Sequence, residues 1–237
     1  MRFQFKLIPT LMAVPALIVI FGLCFWQVQR LQWKNDLIDK MISRANSPAV
    51  ELPAGNLNEE ETEFRPFTVR GIFDHEHEIY LVNRSLNGNP GVHVLTPLVR
   101  EDGQGAILVN RGWAPFEDGR DKKENRIAGL VGGIQEVSGL LRFPKGRNMF
   151  IPDNDLTKNV WFYIDMEQVK QAVGYDLADY YILSADDQVP GGFPIGKQWH
   201  LKLANNHLQY AITWFSLGIT LLVIFLLFSR KKEETEE

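Results

Sequence analysis

Two long stretches without a charged residue constrain this 237-residue chain more than any other feature of its sequence. The first runs from Leu7 to Trp26. The second runs from Leu203 to Ser229 and is apolar almost throughout from Tyr210 to Phe228. A helix of about 20 apolar residues crosses the hydrocarbon core of a bilayer, which is about 30 Å thick. The sequence therefore predicts a membrane protein with one transmembrane helix near each end, at residues 7–28 and 207–229.

The N-terminal stretch must be distinguished from a cleaved signal peptide and from a lipoprotein anchor. A signal peptide has a shorter apolar region and a cleavage site flanked by small residues, whereas large and polar residues follow Phe25 here. A lipid anchor at Cys24 needs a small residue before the cysteine, where this chain has Leu23. A membrane-spanning helix is the interpretation that also accounts for the matching stretch at the far end.

Composition excludes some kinds of site and partner. Cys24 is the only cysteine, so the chain has neither an intrachain disulfide nor a CxxC site. The net charge of −4 is too small to indicate a nucleic-acid surface. We therefore expect no nucleic-acid partner.

Basic residues beside the two stretches predict the orientation. On the terminal side they are Arg2, Lys6, Arg230, Lys231 and Lys232. The central segment carries as many basic residues beside the stretches. The positive-inside rule, however, applies to short loops and not to long ones, so the short termini are the informative ones. We therefore expect both termini (residues 1–6 and 230–237) in the cytoplasm and residues 29–206 outside it.

The segment between the stretches predicts a β-rich domain. Apolar residues at helical spacing from Gln27 to about Arg44 predict that the first helix continues beyond the membrane. Asp165 and Gly174 have the residue types of helix caps around Met166–Val173. Runs rich in β-branched and aromatic residues predict strands at Phe67–Phe73, Glu78–Asn83, Val92–Arg100, Ala106–Arg111, Gly133–Phe143, Trp161–Ile164 and Tyr180–Leu183. The predicted fold class is α+β: two transmembrane helices flank an extracytoplasmic small barrel or sandwich with one or two helices.

The pattern His75-Glu76-His77 is a candidate for metal binding. Alternate residues of a strand share a face, and two imidazoles on one face can contribute to a metal site. The spacing fixes no third ligand, so a polar hairpin end is the simpler interpretation. The sequence contains no nucleophile elbow, Walker loop, zincin motif or dinucleotide fingerprint. We expect a protein that is not an enzyme, with a membrane-tethered enzyme such as a hydrolase as an alternative.

A second distinctive segment, Asn110–Pro115, ends one of the predicted strands. Its Arg111 and Trp113 are candidates for contact with a partner or with lipid headgroups. A turn in which the arginine stacks on the tryptophan is the alternative, worth about 1 kcal/mol at a surface.

Aromatic and polar residues gather where each apolar stretch meets the central domain. Trp26, Arg30 and Trp33 have the spacing of one helix face, and so do His207, Tyr210 and Trp214. An interfacial aromatic belt explains the tryptophans and the tyrosine. It explains His207 less well, because ionisable groups that enter a span are costly. A ligand-binding cleft is the other interpretation: a histidine can ligate haem iron and an arginine can pair with a propionate.

Three of these segments, in this order, resemble motifs of the surfeit locus protein one family. They are Gly22-x-x-x-Trp26-Gln27-x-x-Arg30-x-x-Trp33-Lys34, Leu108–Pro115 and Asn205–Phe215. Gly91-Val92 and Thr96-Pro97 also fit, and the layout with two spans agrees. The resemblance covers nearly the whole chain, with little match from Glu51 to Phe64 and after Gly146.

The resemblance implies a cytochrome c oxidase assembly factor of the mitochondrial inner membrane or the bacterial plasma membrane. Such proteins assist the insertion of haem a into the catalytic oxidase subunit, and a histidine of the second span is their proposed iron ligand. That role falls on His207, and we place Arg30 beside a propionate, with Trp26, Trp33, Tyr210 and Trp214 lining the same site. We expect a multi-pass protein of the bacterial plasma membrane. The expected partners are the catalytic oxidase subunit, proteins of haem a synthesis or delivery, and membrane lipid. A scaffold that binds the oxidase subunit without haem is the alternative.

Overall fold

A computed structural model describes residues 5–116, 123–186, 188–199 and 205–230. It divides the chain into two compact units, one of residues 1–40 with 201–237 and one of residues 41–200. The helices are α1 (Leu7–Ala45), α2 (Glu59–Thr62), α3 (Met166–Val173) and α4 (His207–Phe228). The strands are β1 (Val50–Glu51), β2 (Pro66–Phe73), β3 (Ile79–Leu86), β4 (Asn89–Arg100), β5 (Ala106–Pro115), β6 (Ile134–Arg142), β7 (Val160–Trp161) and β8 (Leu177–Ser184).

The first unit is a pair of apolar helices. By length and composition, both α1 and α4 are able to cross a membrane. The least exposed residues of α1 recur at alternating spacings of four and three, as do those of α4. In α1 they include Ala13, Leu17, Ile20, Cys24 and Gln27, and in α4 His207, Ala211, Trp214, Gly218 and Leu221. This repeat is the pattern of two helices that pack along a continuous seam.

Contacts along the seam show that the helices run antiparallel. The rings of Phe21 and Phe215 meet edge to face with centroids 6.3 Å apart. Closer to the start of α4, Sγ of Cys24 donates to the carbonyl oxygen of Ala211 at 3.4 Å. Gly218 lies where a Cβ would overlap the ring of Phe21, so the helices approach closely there.

The second unit is built on a closed barrel of five strands. Neighbours around the ring are β2, β6, β8, β5 and β4, and β4 pairs again with β2 to close it. The β5–β8 pair is parallel, and the other pairs of the ring are antiparallel. On the outside, β3 extends from β4, and the two short strands β7 and β1 pair with β3 and β2. This closure decides between the two predicted architectures in favour of the barrel.

Side chains that alternate along the strands fill the barrel and form a second core outside it. The interior contains Phe67, Val69, Leu98, Ile107, Val109, Val137, Leu141 and Ile182. On the outside, α3 packs Val169 and Val173 against Trp161, which is 1% exposed. The Asp165 side chain accepts hydrogen bonds from the backbone amides of the first turn of α3, and Gly174 adopts a left-handed conformation at its end. The predicted bounds and caps of this helix are confirmed.

Several sequence predictions differ from the structure at particular residues. The strand predicted over Trp161–Ile164 comprises Val160–Trp161 only, because Asn154 accepts from the backbone amides of Phe162 and Tyr163 and takes them out of the sheet. The histidines predicted on a strand lie instead in a 3-10 helix at His75–His77. The basic residues Arg2, Lys231 and Lys232 used to predict orientation lie outside the described residues.

Candidate functional site

The start of α4 has a hydrogen bond between two polar side chains inside the apolar seam. Nδ1 of His207 lies 2.7 Å from Oε1 of Gln27, which is only 8% exposed. An amide oxygen only accepts hydrogen bonds, so Nδ1 is the donor. A neutral imidazole then keeps its lone pair on Nε2, which is therefore the nitrogen able to ligate a metal.

Two asparagines fix the start of α4 against α1. The Oδ1 atom of Asn205 accepts the backbone N–H of His207 at 3.4 Å. Its Nδ2 atom donates to Oδ1 of Asn35 at 2.8 Å. Backbone amides at a helix start have no partner within the helix, so Asn205 satisfies one of them and joins the two helices at the same time.

Trp26, Arg30 and Trp33 form a stacked group on one face of α1, as their spacing predicts. The Arg30 guanidinium lies over the Trp26 ring at 5.8 Å and over the Trp33 ring at 5.4 Å. The two tryptophans are 46% and 56% exposed. At 3.6 residues per turn, the face that carries this group lies about a quarter of a turn from Gln27. The group is therefore on an open surface beside the seam.

The three predicted residues of α4 do not share one environment. His207 and Trp214 are partly buried on the seam, whereas Tyr210 is 54% exposed. Within the described part of the chain, no hydrogen bond, ion pair or ring contact joins them to the Arg30 group. The structure thus brings together His207 and Gln27, a residue of the first sequence motif that was not predicted to contact His207. The position of Gln27 in the repeat of seam residues could have predicted this contact, because a polar side chain buried in an apolar seam needs a hydrogen-bond partner.

Arg111 and Trp113 lie inside the barrel unit. They are 4% and 5% exposed. The guanidinium of Arg111 stacks on the Phe73 ring at 4.7 Å rather than on Trp113, and its Nη2 donates to the carbonyl oxygen of Gly129 at 2.6 Å. Trp113 packs against Phe193. Almost none of their surface is accessible in this structure, and their contact with a partner stays a prediction.

The sequence analysis missed a buried cluster of charges around Glu78. The Glu78 side chain is 1% exposed and accepts from Arg126 Nη2 at 2.6 Å and from Thr96 Oγ1 at 3.3 Å. Nδ1 of His75 lies 2.9 Å from the same carboxylate, and Nη1 of Arg111 lies 3.8 Å from it. Glu78 and Arg126 are 48 residues apart in sequence, so no local motif marks the pair.

His75 and Arg126 lower the pKa of the Glu78 carboxyl. Burial raises the pKa of its carboxyl, but the hydrogen bonds from His75 and Arg126 and the Arg126 charge outweigh burial and lower the pKa to about 2. Burial also lowers the pKa of Arg111 to about 10, which the Glu78 charge partly offsets. Glu78 and Arg111 therefore both remain charged at neutral pH. Through the Arg126–Glu78 ion pair, the cluster joins the 3-10 helix Lys123–Gly129 to the barrel, and the three charged groups Glu78, Arg111 and Arg126 are almost fully buried.

The candidate metal ligands His75 and His77 are occupied by hydrogen bonds. Nε2 of His75 faces the carbonyl oxygen of Val131 at 3.0 Å. Nδ1 of His77 lies 2.6 Å from Oδ2 of Asp74. Among the residues that the structure describes, no group of three or more His, Cys, Asp or Glu side chains is placed to hold a metal ion. These residues form a polar turn between β2 and β3, and metal binding by the two histidines stays a hypothesis.

Comparison with known proteins gives the family. The model of the SURF1 family matches residues 14–219. Surfeit locus protein 1 of Xenopus tropicalis is 37% identical over 217 residues, which are 84% of this chain and 69% of that protein. The human protein of the same name is 36% identical over 218 residues, covering 85% of this chain and 71% of its own length. The protein of the same name from Takifugu rubripes is 36% identical over 224 residues, which are 87% of this chain and 90% of that protein.

The family match includes the structural features described above. Residues 14–219 contain Gln27, His207, the Glu78 cluster and every strand of the barrel. The extent of the match and the identity with these relatives confirm the resemblance drawn from the three sequence motifs. The chain belongs to the SURF1 family.

Proposed function

We propose that this protein is a membrane-bound assembly factor for cytochrome c oxidase that holds haem a and assists its insertion into the catalytic oxidase subunit. The observation that supports this role is the hydrogen bond between Gln27 and His207, which leaves Nε2 of the histidine as the ligating atom. A protein that carries a cofactor to a partner needs a ligand for it and no reactive group of its own. The role is therefore that of a chaperone and not of an enzyme.

The helix pair supports insertion in a membrane. Large apolar side chains on its outer faces are open to the surroundings, among them Leu11 at 65%, Ile18 at 67% and Ile224 at 57%. Full burial of one such side chain is worth about 1.5–3 kcal/mol, so these faces are costly in water and favourable in lipid. We place α1 and α4 across the bacterial plasma membrane, both termini in the cytoplasm and the barrel unit outside it.

Haem a is the cargo in this proposal, and several residues at the outer membrane edge fit it. His207 would supply an imidazole nitrogen to the haem iron. Arg30 supplies a cation for a propionate, and the stacked Trp26 and Trp33 hold its guanidinium at the surface. Tyr210 and Trp214 add aromatic surface on α4. Burial of the cargo between lipid and these rings protects it until the oxidase subunit accepts it.

The test is the absorption spectrum of the protein purified from cells that make haem a. We expect the wild-type protein to carry haem and His207→Ala to lose most of it. His77→Ala is the matched control, because His77 lies in the barrel unit and bonds to Asp74. Equal haem content and identical spectra in wild type and His207→Ala would remove His207 as the ligand.

A scaffold that binds the oxidase subunit without haem is the second candidate. The Gln27–His207 hydrogen bond favours the scaffold, because each side chain already gives the other a hydrogen-bond partner, as in a purely structural pair. The candidates differ in cells whose only copy carries His207→Ala. Normal amounts of assembled oxidase would support the scaffold, whereas oxidase lacking haem a supports the cargo role.

A further inference from the structure

We propose that Gln27 is a positioning residue for His207: it fixes the ring in the tautomer with hydrogen on Nδ1 and presents Nε2 as the ligating nitrogen. The consequence for haem rests on the proposed function. The tautomer itself belongs to the protein without haem and is measurable there.

The environment of Gln27 shows why it needs this partner. It occupies a seam position between Cys24 and Leu31, and its side chain is buried. A buried amide without a hydrogen bond costs about 1–3 kcal/mol. The Nδ1 atom of His207, 180 residues away in sequence, satisfies its oxygen at 2.7 Å.

Contacts on either side of this hydrogen bond hold the two helices together. Cys24 bonds to the backbone of Ala211 about one turn along the pair, and Asn35 bonds to Asn205 in the other direction. Because both helices are held at these points, their backbones keep the amide of Gln27 within reach of the His207 ring. The hydrogen bond to Gln27 thus favours one ring orientation in the protein without a ligand.

The chemistry of the acceptor also suits a carrier. A ring nitrogen that donates to a carboxylate becomes a stronger metal ligand through its other nitrogen. An amide oxygen is neutral, so it orients the ring and adds less to its basicity. We infer that Gln27 provides orientation without the tighter ligation of a carboxylate, as a site that must release its haem requires.

The first experiment measures the tautomer in the full-length protein without haem. The chain contains five histidines, so ¹⁵N-histidine labelling in lipid or detergent gives a simple spectrum, and the signal absent from His207→Ala is that of His207. We expect the wild type to show hydrogen on Nδ1, Gln27→Leu to lose that preference, and Gln27→Glu to keep it, since a carboxyl oxygen also accepts. Gln29→Leu is the matched control, because Gln29 is exposed on the same helix.

The second experiment measures haem binding by the same variants, after circular dichroism has confirmed their helix content. Loss of a residue that orients a metal-bound histidine reduces affinity about 10- to 100-fold. We expect this loss for Gln27→Leu, wild-type affinity for Gln29→Leu, and affinity at least equal to wild type for Gln27→Glu.

The outcomes separate the two proposals. Hydrogen on Nε2 in the wild type, or a Gln27→Leu variant with wild-type tautomer and haem affinity, would overturn the role of Gln27 while leaving haem binding intact. If the wild type binds no haem, the carrier function fails, and the tautomer spectra of the haem-free variants still decide whether Gln27 positions His207.

Discussion

The buried carboxylate of Glu78 gives a quantitative prediction for the stability of the barrel unit. The fall of its pKa from 4.5 to about 2 means that the ionised form stabilises the folded state by about 3 kcal/mol. Removal of one partner from a buried ion pair costs about 3–5 kcal/mol. In Glu78→Gln the side-chain volume is kept, but Arg126 and Arg111 lose their counter-charge. We expect a loss of about 3–5 kcal/mol in the free energy of unfolding.

Thermal unfolding of the purified full-length chain, followed by near-ultraviolet circular dichroism, measures this loss. For a unit of this size, residues 41–200, 1 kcal/mol corresponds to about 2–4 °C. The Tm of Glu78→Gln should therefore fall by about 6 °C or more. Glu76→Gln is the matched control, because Glu76 is exposed two residues away. Surface substitutions usually change stability by less than about 0.5 kcal/mol.

The pH dependence gives an independent check on the same argument. The folded-state pKa of Glu78 lies below its unfolded value, so its contribution is complete above about pH 4.5 and is lost as the pH falls toward 2. The difference in stability between wild type and Glu78→Gln should narrow over that range. If Glu78→Gln unfolds within about 1 °C of Glu76→Gln at neutral pH, the reasoning about this cluster is refuted.

Three further predictions concern the barrel unit. Gly112 has φ of 120°, and a Cβ there would overlap the carbonyl group of Ile195. Gly112→Ala should therefore lower the free energy of unfolding by about 3 kcal/mol. Gly132→Ala is its control and should not lower the Tm, because the space around Gly132 is open. Asp165→Ala removes the cap of α3 and should lower the Tm by about 2–4 °C. Burial lowers the pKa of His93 to about 4. As the pH falls from 6.5 to 4, the free energy of unfolding of the wild type should therefore decrease by on the order of 3 kcal/mol because of this residue. His93→Gln should lack that part of the loss in the same unfolding assay.

Much of the helical structure follows from the sequence because it is determined by near neighbours. Hydrophobicity over one window locates α1 and α4, and helical spacing predicts that α1 continues to about Arg44, next to its observed end at Ala45. The cap residues Asp165 and Gly174 locate α3. The same spacing places Trp26, Arg30 and Trp33 on one face. Each of these features depends on residues within a few turns of one another.

Other features of the candidate site depend on residues that are distant in sequence, so only the tertiary structure decided them. Closure of the barrel through the β2–β4 and β5–β8 pairs has no local pattern, and neither does the pairing of Glu78 with Arg126. Burial of Arg111 and Trp113 results from this packing.

The two apolar stretches of the sequence, Leu7–Trp26 and Leu203–Ser229, show the same division. Their composition determines that they form long apolar helices, because hydrophobicity and helix periodicity are local properties. Which residues of the two helices meet is decided by packing, since a seam forms only when both helices are present. The sequence by itself therefore located His207, and only the packing of α4 against α1 paired it with Gln27.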